Sequence, residues 1–214
     1  MKVLVLSAHP DDEILGVGGT ICKHIRNGDE VFVCIVTKAY KPEWSNAYIK
    51  NKVIEQESVD ELIGIKRRIN LNLSTVKLNK IAHGKLNKMI MNVVKTVNPN
   101  IVYTHYINDL NLDHRLVFES TLVALRPPRR VKLYCYETLS ETEWHIHSFH
   151  PNYYVDIKDF LEKKIKAFEI YESESKKYPH PRSRKGIKIL AKKRGLEYFL
   201  EYAESFIMIK DFWI

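Results

Sequence analysis

The sequence has few of the residues and runs that mark membrane-embedded or low-complexity proteins. Its 214 residues include eight glycines and eight prolines, and no apolar run approaches the roughly 18 residues that a membrane span needs. The apolar start Met1–Ser7 reaches the polar His9 too soon for a signal peptide. We therefore expect a globular protein without a membrane span.

Cysteine is also scarce, and the three cysteines are widely separated at Cys22, Cys34 and Cys135. Their odd number and the absence of close pairs argue against a disulfide framework or a cysteine zinc site. Each lies within an apolar stretch. We expect buried free thiols and a cytoplasmic location, where thiols stay reduced.

Acidic residues are outnumbered, with 26 Asp and Glu against 34 Lys and Arg, so the net charge is +8. The basic residues are scattered, with the densest cluster at 176–194, and none forms an aromatic-interleaved RNA-binding motif. No nucleic-acid partner is expected. A phosphate-bearing small molecule or a lipid headgroup suits such a surface equally well. The cluster itself is typical of a solvated face, or it forms a flap that gathers substrate phosphates.

Strand-length apolar runs alternate with helical spacing along the whole chain, which predicts one α/β domain over 1–214, with residues from about 140 onward elaborating the substrate side. Such alternation favours a mostly parallel sheet with helices on both faces. The predicted strands are Lys2–Ser7, Glu30–Thr37, Ile69–Leu73, Asn100–His105, Val131–Tyr136, Tyr153–Ile157 and Ser205–Lys210. The predicted helices are Ile14–Arg26, Asn46–Ile63, Lys80–Val97, His114–Leu125, Lys158–Lys177 and Ser183–Arg194.

The turn after the first strand carries the densest chemistry, an imidazole and three carboxylates in the five residues from His9 to Glu13. His9 and Asp12 could bind one divalent cation while Asp11 stays unligated beside it. The alternative is that Asp11 or Asp12 caps the following helix. The negative charge of Glu13 would also stabilise the positive end of that helix. Glu13 is expected to cap the helix or to orient His9.

A second polar loop, His105–Asp113, follows another predicted strand and leads into His114. Carboxyl ends of parallel strands share one edge of a sheet, so the two loops are expected to converge. Two histidines, one carboxylate and an open position are typical of a catalytic zinc site, with Asp11 as general base. The alternatives to a metal site are that His114 is a histidine at the start of a helix with hydrogen bonds to the backbone, and that Asp113 caps this helix.

At these residues the chain resembles the LmbE-like, or PIG-L, N-acetylglucosaminyl deacetylases. The resemblance rests on Ala8–Glu13, Gly18-Gly19 and Asn111–Arg115, and extends to Tyr134–Trp144 and Tyr202–Phe206. It implies a single Rossmann-like domain and zinc-dependent hydrolysis of an N-acyl group, usually acetyl on an amino sugar. It also implies that His9, Asp12 and His114 bind the metal and that Asp11 is the general base.

The chain departs from the family pattern at two positions. Asn111 stands where many members have a histidine that stabilises the oxyanion; its amide can donate a hydrogen bond but cannot act as a charged acid. The proton for the leaving amine would then come from Asp11 or from His105. Lys52 stands where the family has a substrate-binding arginine, which keeps the charge but loses the bidentate fork.

Two further features allow more than one interpretation. Trp144 is either a platform that stacks on a sugar or a core tryptophan. His145, His147 and His150 resemble a second metal cluster in composition, although an exposed polar run is the simpler interpretation.

Together these features predict a zinc enzyme that removes acetyl from an N-acetylglucosamine-type sugar, whether nucleotide-linked, lipid-linked or a small glycoside. Iron or cobalt could replace zinc, and a homo-oligomer is possible. The alternatives are hydrolysis of another N-acyl or N-formyl amide, or a non-catalytic module that binds a sugar or nucleotide. The retained Asp11 argues against the module, and no Gly-x-Gly-x-x-Gly follows the first strand.

Overall fold

The computed structural model describes residues 1–212, which form a seven-stranded sheet with strand order β3-β2-β1-β4-β5-β7-β6. The strands are β1 (Lys2–Ser7), β2 (Glu30–Lys38), β3 (Arg67–Ser74), β4 (Ile101–His105), β5 (Lys132–Tyr136), β6 (Tyr153–Asp156) and β7 (Ala203–Lys210). The helices are α1 (Asp12–Arg26), α2 (Asn46–Ile63), α3 (His83–Val97), α4 (Leu112–Ala124), α5 (Leu161–Ile170) and α6 (Arg184–Leu196). β1 to β5 run parallel, and β7 is antiparallel to both of its neighbours.

Both faces of the sheet are covered, which explains why the central strand β1 is apolar at successive positions rather than at alternate ones. Val3 and Val5 pack into the core cluster that includes residues of α1, α2, α5 and α6, whereas Leu4 and Leu6 pack into the cluster formed with α3 and α4. The predicted fold class, a mostly parallel sheet with helices on both faces, is confirmed.

One predicted helix is much shorter than expected. Instead of spanning Lys158–Lys177, α5 begins at Leu161 after a 3-10 turn and ends at Ile170. The next residue, Tyr171, leaves the helical conformation and donates its buried hydroxyl to Glu13 Oε1 at 2.6 Å. The chain from 171 to 183 consequently forms a loop, and this loop reaches the carboxyl edge of the sheet. Likewise, α3 starts at His83 rather than Lys80, because a 3-10 turn occupies Leu78–Lys80.

In the part of the chain that the structure describes, we find no helix with the length and apolar character to cross a membrane. Cys22, Cys34 and Cys135 are buried and free, as expected from their spacing.

The packing of α1 against β5 requires a glycine at position 16. A Cβ on Gly16 would lie 2.2 Å from Cδ2 of the Tyr136 ring, which is itself fully buried. We expect Gly16→Ala to lower the free energy of unfolding by about 1–3 kcal/mol through overpacking. Urea denaturation measures the change.

Gly84→Ala in α3 is the matched control, because no atom lies within 4 Å of its added Cβ. That substitution should raise stability by at most about 0.5–1 kcal/mol, the preference of a helix interior for alanine, because Gly84 is the second residue of α3. Equal effects at the two positions would contradict the packing argument.

Candidate metal and catalytic site

A cavity of about 400 Å³ opens at the carboxyl edge of the parallel strands. The turn after β1, the ends of β2 and β3, the first half of α2, the start of α4 and the loop 171–183 supply its walls. Ligand sites in open α/β sheets gather at this edge. The two polar loops that the sequence analysis expected to converge do so here.

His9, Asp12 and His114 bring three ligand atoms to one point beside the cavity. His9 Nδ1 lies 3.2 Å from Asp12 Oδ2 and 3.2 Å from His114 Nε2, and the third side of the triangle is 3.3 Å. Two ligands held 2.0–2.1 Å from a tetrahedral ion lie about 3.3 Å apart. The spacing therefore fits a divalent transition-metal ion.

The charges around this triangle also favour a cation. Burial lowers the pKa of His9, but its hydrogen bonds to Asp113 and Asp12 outweigh burial and raise it to about 9. Burial also lowers the pKa of His114. The Asp12 and Asp109 carboxylates outweigh this effect and raise the pKa to about 10. Asp12 Oδ1 is buried and lacks a hydrogen-bond partner. A metal ion bound to Oδ2 of the same carboxylate would balance the excess negative charge.

Two further carboxylates fix the histidines from behind. Asp113 Oδ2 lies 3.3 Å from His9 Nε2, and Asp109 Oδ1 lies 3.1 Å from His114 Nδ1. Metal-binding histidines commonly have such partners, which set the tautomer and the ring orientation. The sequence predicts that Glu13 orients His9 or caps α1, but Asp113 makes the orienting contact to His9.

Glu13 instead holds the backbone of the turn. Its Oε2 accepts a hydrogen bond from the backbone N–H of Asp11, and its Oε1 accepts from Arg68 and Tyr171. The alternative interpretation, in which Asp113 caps α4, does not hold. Asn111 is the cap, because its Oδ1 accepts the N–H of Asp113 at 3.0 Å.

Asp11 lies beside the triangle and does not cap α1, contrary to the alternative interpretation, because its side chain makes no capping bond. Its Oδ2 accepts a hydrogen bond from Arg182 at 2.9 Å. Burial raises the pKa of the Asp11 carboxyl well above its usual value, although the Arg182 guanidinium opposes this shift. A carboxylate with raised proton affinity that borders a cavity is suited to proton transfer.

Arg182 is a residue of this site that the sequence did not predict. It lies in the basic segment 176–194, but its side chain turns inward and also donates to Ser140 Oγ at 2.6 Å. Arg184 and Lys188, further along the segment, are half exposed and pair with Glu162 on the surface. The local signal is Pro179 and Pro181, which mark a turn immediately before Arg182.

The remaining predicted site residues divide into two groups. Lys52 and Asn111 line the cavity. Lys52 is buried and forms ion pairs with Glu55 at 2.8 Å and Glu174 at 3.3 Å. Trp144 does not line the cavity, nor is it a core residue: it is 55% exposed and contacts His180 edge-on. The aromatic residues of the cavity wall are Trp44 and Tyr48.

His105 is fully buried and stacks on His114 with 3.8 Å between ring centroids. Its Nε2 accepts the N–H of Ala8 at 2.8 Å, and burial lowers its pKa to about 4. A neutral, enclosed imidazole is poorly placed to protonate a leaving amine. Of the His145–His150 histidines, none joins a metal-binding group within residues 1–212, where His9, Asp12 and His114 form the one such group.

These features define a class of protein, an α/β domain that could hold one metal ion between two histidines and an aspartate, with a free carboxylate alongside. Comparison with known families identifies it further. The chain belongs to the PIG-L family, because the family model described as GlcNAc-PI de-N-acetylase matches residues 4–125.

One curated relative is the diacetylchitobiose deacetylase of Thermococcus kodakarensis, which is 27% identical over 199 residues, covering 81% of this chain and 70% of the relative. The conserved protein TT1542 of Thermus thermophilus superposes with a TM-score of 0.81 at 20% identity, covering 99% and 96% of the two chains. GalB of Pseudomonas putida, a 4-carboxy-2-hydroxymuconate hydratase, superposes with a TM-score of 0.77 at 18% identity, covering 100% and 98%. Proteins with this fold therefore catalyse more than one reaction. The function of this chain has to be inferred from the residues of its site and not from the fold.

Removing the carboxylate behind a histidine tests the metal-site interpretation. Asp109 contacts His114 and Asn111 through Oδ1 and Thr142 through Oδ2, and Asp109→Asn replaces this charged carboxylate by a neutral amide. We expect metal affinity to fall about 10–100-fold, as measured by competition with a chelator.

Asp159→Asn is the control, since Asp159 is exposed and pairs only with Arg26 among the described residues. An Asp109→Asn protein with undiminished affinity would show that the His114 orientation does not depend on this carboxylate.

Proposed function

We propose that the protein is a metal-dependent hydrolase that removes the N-acetyl group from an amino sugar. The observation that carries the proposal is the buried Asp11 carboxylate, which borders the cavity beside the triangle of His9, Asp12 and His114. Membership of the PIG-L family and the similarity to a diacetylchitobiose deacetylase support the same reaction.

His9, Asp12 and His114 would hold the metal, for which zinc is the proposed ion because its usual ligands are histidine and carboxylate. Such an ion supplies Lewis acidity, which polarises an acyl carbonyl and lowers the pKa of water. The rest of the chemistry falls to side chains of this chain.

Asp11 acts as the general base and then as the acid. It accepts a proton from the water that attacks the acyl carbon, and it returns this proton to the sugar nitrogen as the C–N bond breaks, so that acetate and a free amine leave. The raised pKa that burial gives Asp11 suits both steps. Arg182, at 2.9 Å, keeps the carboxylate at the cavity wall.

Asn111 is proposed to stabilise the oxyanion. Its Oδ1 already accepts the N–H of Asp113, so the amide nitrogen is the group left to donate into the cavity. Lys52 is proposed to contact substrate hydroxyls, with Glu55 and Glu174 fixing its ammonium group. Trp144 is not proposed for substrate binding, since it lies outside the cavity lining.

The cavity walls support the proposal of one domain over 1–214 with a substrate-side elaboration from about residue 140. Glu141, Glu174 and Arg182, all from that part, line the cavity together with residues of the first strands. A cytoplasmic location remains our proposal, supported by the three buried free thiols.

Two substitutions separate catalysis from metal binding. Asp11→Asn should retain the metal but lower kcat by about 10²–10⁴-fold, because proton transfer is lost. His114→Ala should instead lower the bound metal, because one ligand is removed. Acetate release from N,N'-diacetylchitobiose and N-acetylglucosamine, together with elemental analysis of the purified variants, measures both.

Asp159→Asn on the exposed surface serves as the control and should match wild type in both assays. Wild-type turnover in Asp11→Asn would refute the assignment of the base. Release of formate or another acid, but not acetate, from a panel of N-acyl amines would support hydrolysis of a different amide.

Chelation tests the metal requirement directly. Removal of the ion should abolish acetate release, and one equivalent of zinc, iron or cobalt should restore it, since the three ligand atoms are otherwise intact. Metal-free protein with full activity would refute a metal-dependent mechanism. Metal-loaded protein that binds sugars without turnover would favour a binding module.

A further inference from the structure

One wall of the cavity is aromatic. Trp44 and Tyr48 line it and are both half buried, with ring centroids 6.5 Å apart and planes tilted by 30°. Tyr40 supports Trp44 edge-on at 5.4 Å, and the Lys77 ammonium lies over the Tyr40 ring at 4.0 Å. Aromatic side chains that are packed from behind and open in front offer a fixed flat surface to a ligand.

This aromatic wall connects to the general base through a short series of contacts. Asp11 accepts from Arg182 at 2.9 Å, Arg182 lies 3.5 Å from Glu174, and Glu174 accepts from the Tyr48 hydroxyl at 3.1 Å. Trp44 lies one aromatic contact beyond Tyr48. The wall is therefore displaced from the reacting atoms, within the same cavity.

A buried amide borders the same space. Tyr48, Lys52 and Gln56 follow one another at four-residue spacing on α2, which puts them on one face of the helix. Gln56 is 7% exposed and lines the cavity; its Nε2 donates to the Lys52 carbonyl, but its Oε1 lacks a hydrogen-bond partner. A buried acceptor of this kind is satisfied when a ligand donates a hydroxyl to it.

The charges argue for a neutral group. The two buried cations of the cavity are already paired, Lys52 with Glu55 and Glu174, and Arg182 with Asp11. A phosphate bound to either cation would also meet the carboxylates paired with it, and these would repel it. A pyranose ring, with an apolar face of C–H groups and a rim of hydroxyls, matches an aromatic wall flanked by a free amide acceptor.

We propose that Trp44, Tyr48 and Gln56 form a subsite for a second, uncharged sugar ring attached to the N-acetylated one. The inference rests on the proposed function and narrows its substrate to an N-acetylated disaccharide or longer oligosaccharide. A nucleotide-linked or phosphate-linked sugar would not use this subsite.

The experiment compares kcat/KM for N-acetylglucosamine, N,N'-diacetylchitobiose and N-acetylglucosamine 1-phosphate. The wild type should prefer the disaccharide over both others, and Trp44→Ala should reduce the ratio of disaccharide to monosaccharide kcat/KM about tenfold. Trp144→Ala removes a tryptophan outside the cavity lining and should leave that ratio unchanged. Trp44→Leu, which keeps apolar bulk, should behave like Trp44→Ala if the aromatic face is what matters.

A binding measurement is independent of turnover. In metal-free Trp144→Ala protein, titration with chitobiose, the deacetylated disaccharide, should change the tryptophan fluorescence, and Trp44→Phe in that background should abolish the change. Turnover with an unaltered ratio in Trp44→Ala would overturn the subsite and leave the deacetylase proposal standing. A Trp44-dependent fluorescence change without any acetate release would support the subsite and overturn the deacetylase proposal. A preference for the 1-phosphate would overturn the subsite in favour of an anionic substrate.

Discussion

The structure depends on burying three consecutive carboxylates at the carboxyl end of the central strand. Asp11, Asp12 and Glu13 are 3%, 1% and 0% exposed. A buried carboxylate without a partner costs several kcal/mol, so each one must be neutralised where it lies. The compensating groups come from three distant parts of the chain: β3, the His105–His114 region and the loop after α5. Their members are Arg68 with Tyr171 for Glu13, His114 for Asp12, and Arg182 for Asp11.

This arrangement links the catalytic edge to the whole domain. The match to the family model ends at residue 125, yet Arg182, which contacts the proposed general base, lies far beyond it. Tyr171 and Arg182 bound the same loop, and both donate to carboxylates of the turn after β1. Ending α5 at Ile170 is therefore what allows the C-terminal part to complete the site. A helix continued to Lys177 would carry this loop away from the carboxylates.

The sequence predicts the structural elements that local patterns define. It does not predict contacts between residues that are far apart in the chain. The strands and most helix ends followed from periodicity and stop signals, and the metal-binding group followed from a compact motif and a second loop at the same sheet edge. Arg182 and Asp11 are separated by 171 residues, so no spacing rule joins them. Trp44 was overlooked and Trp144 overvalued for a related reason: both lie in irregular segments, where periodicity does not indicate which side chain faces a cavity.

The backbone of Asp11 shows how the turn serves both stability and chemistry. Its φ of 117° lies in a region that costs a non-glycine residue about 1–3 kcal/mol. The strain is held by Glu13, which accepts the N–H of Asp11, while the Asp11 carbonyl accepts from Ile14 and Leu15. With relaxed geometry, the carboxylate could cap α1 in the ordinary way and leave the cavity. The strained conformation turns it toward Arg182 instead, and the ion pair between Glu13 and Arg68 maintains that conformation. Glu13, which takes no part in the proposed reaction, thus keeps Asp11 in place.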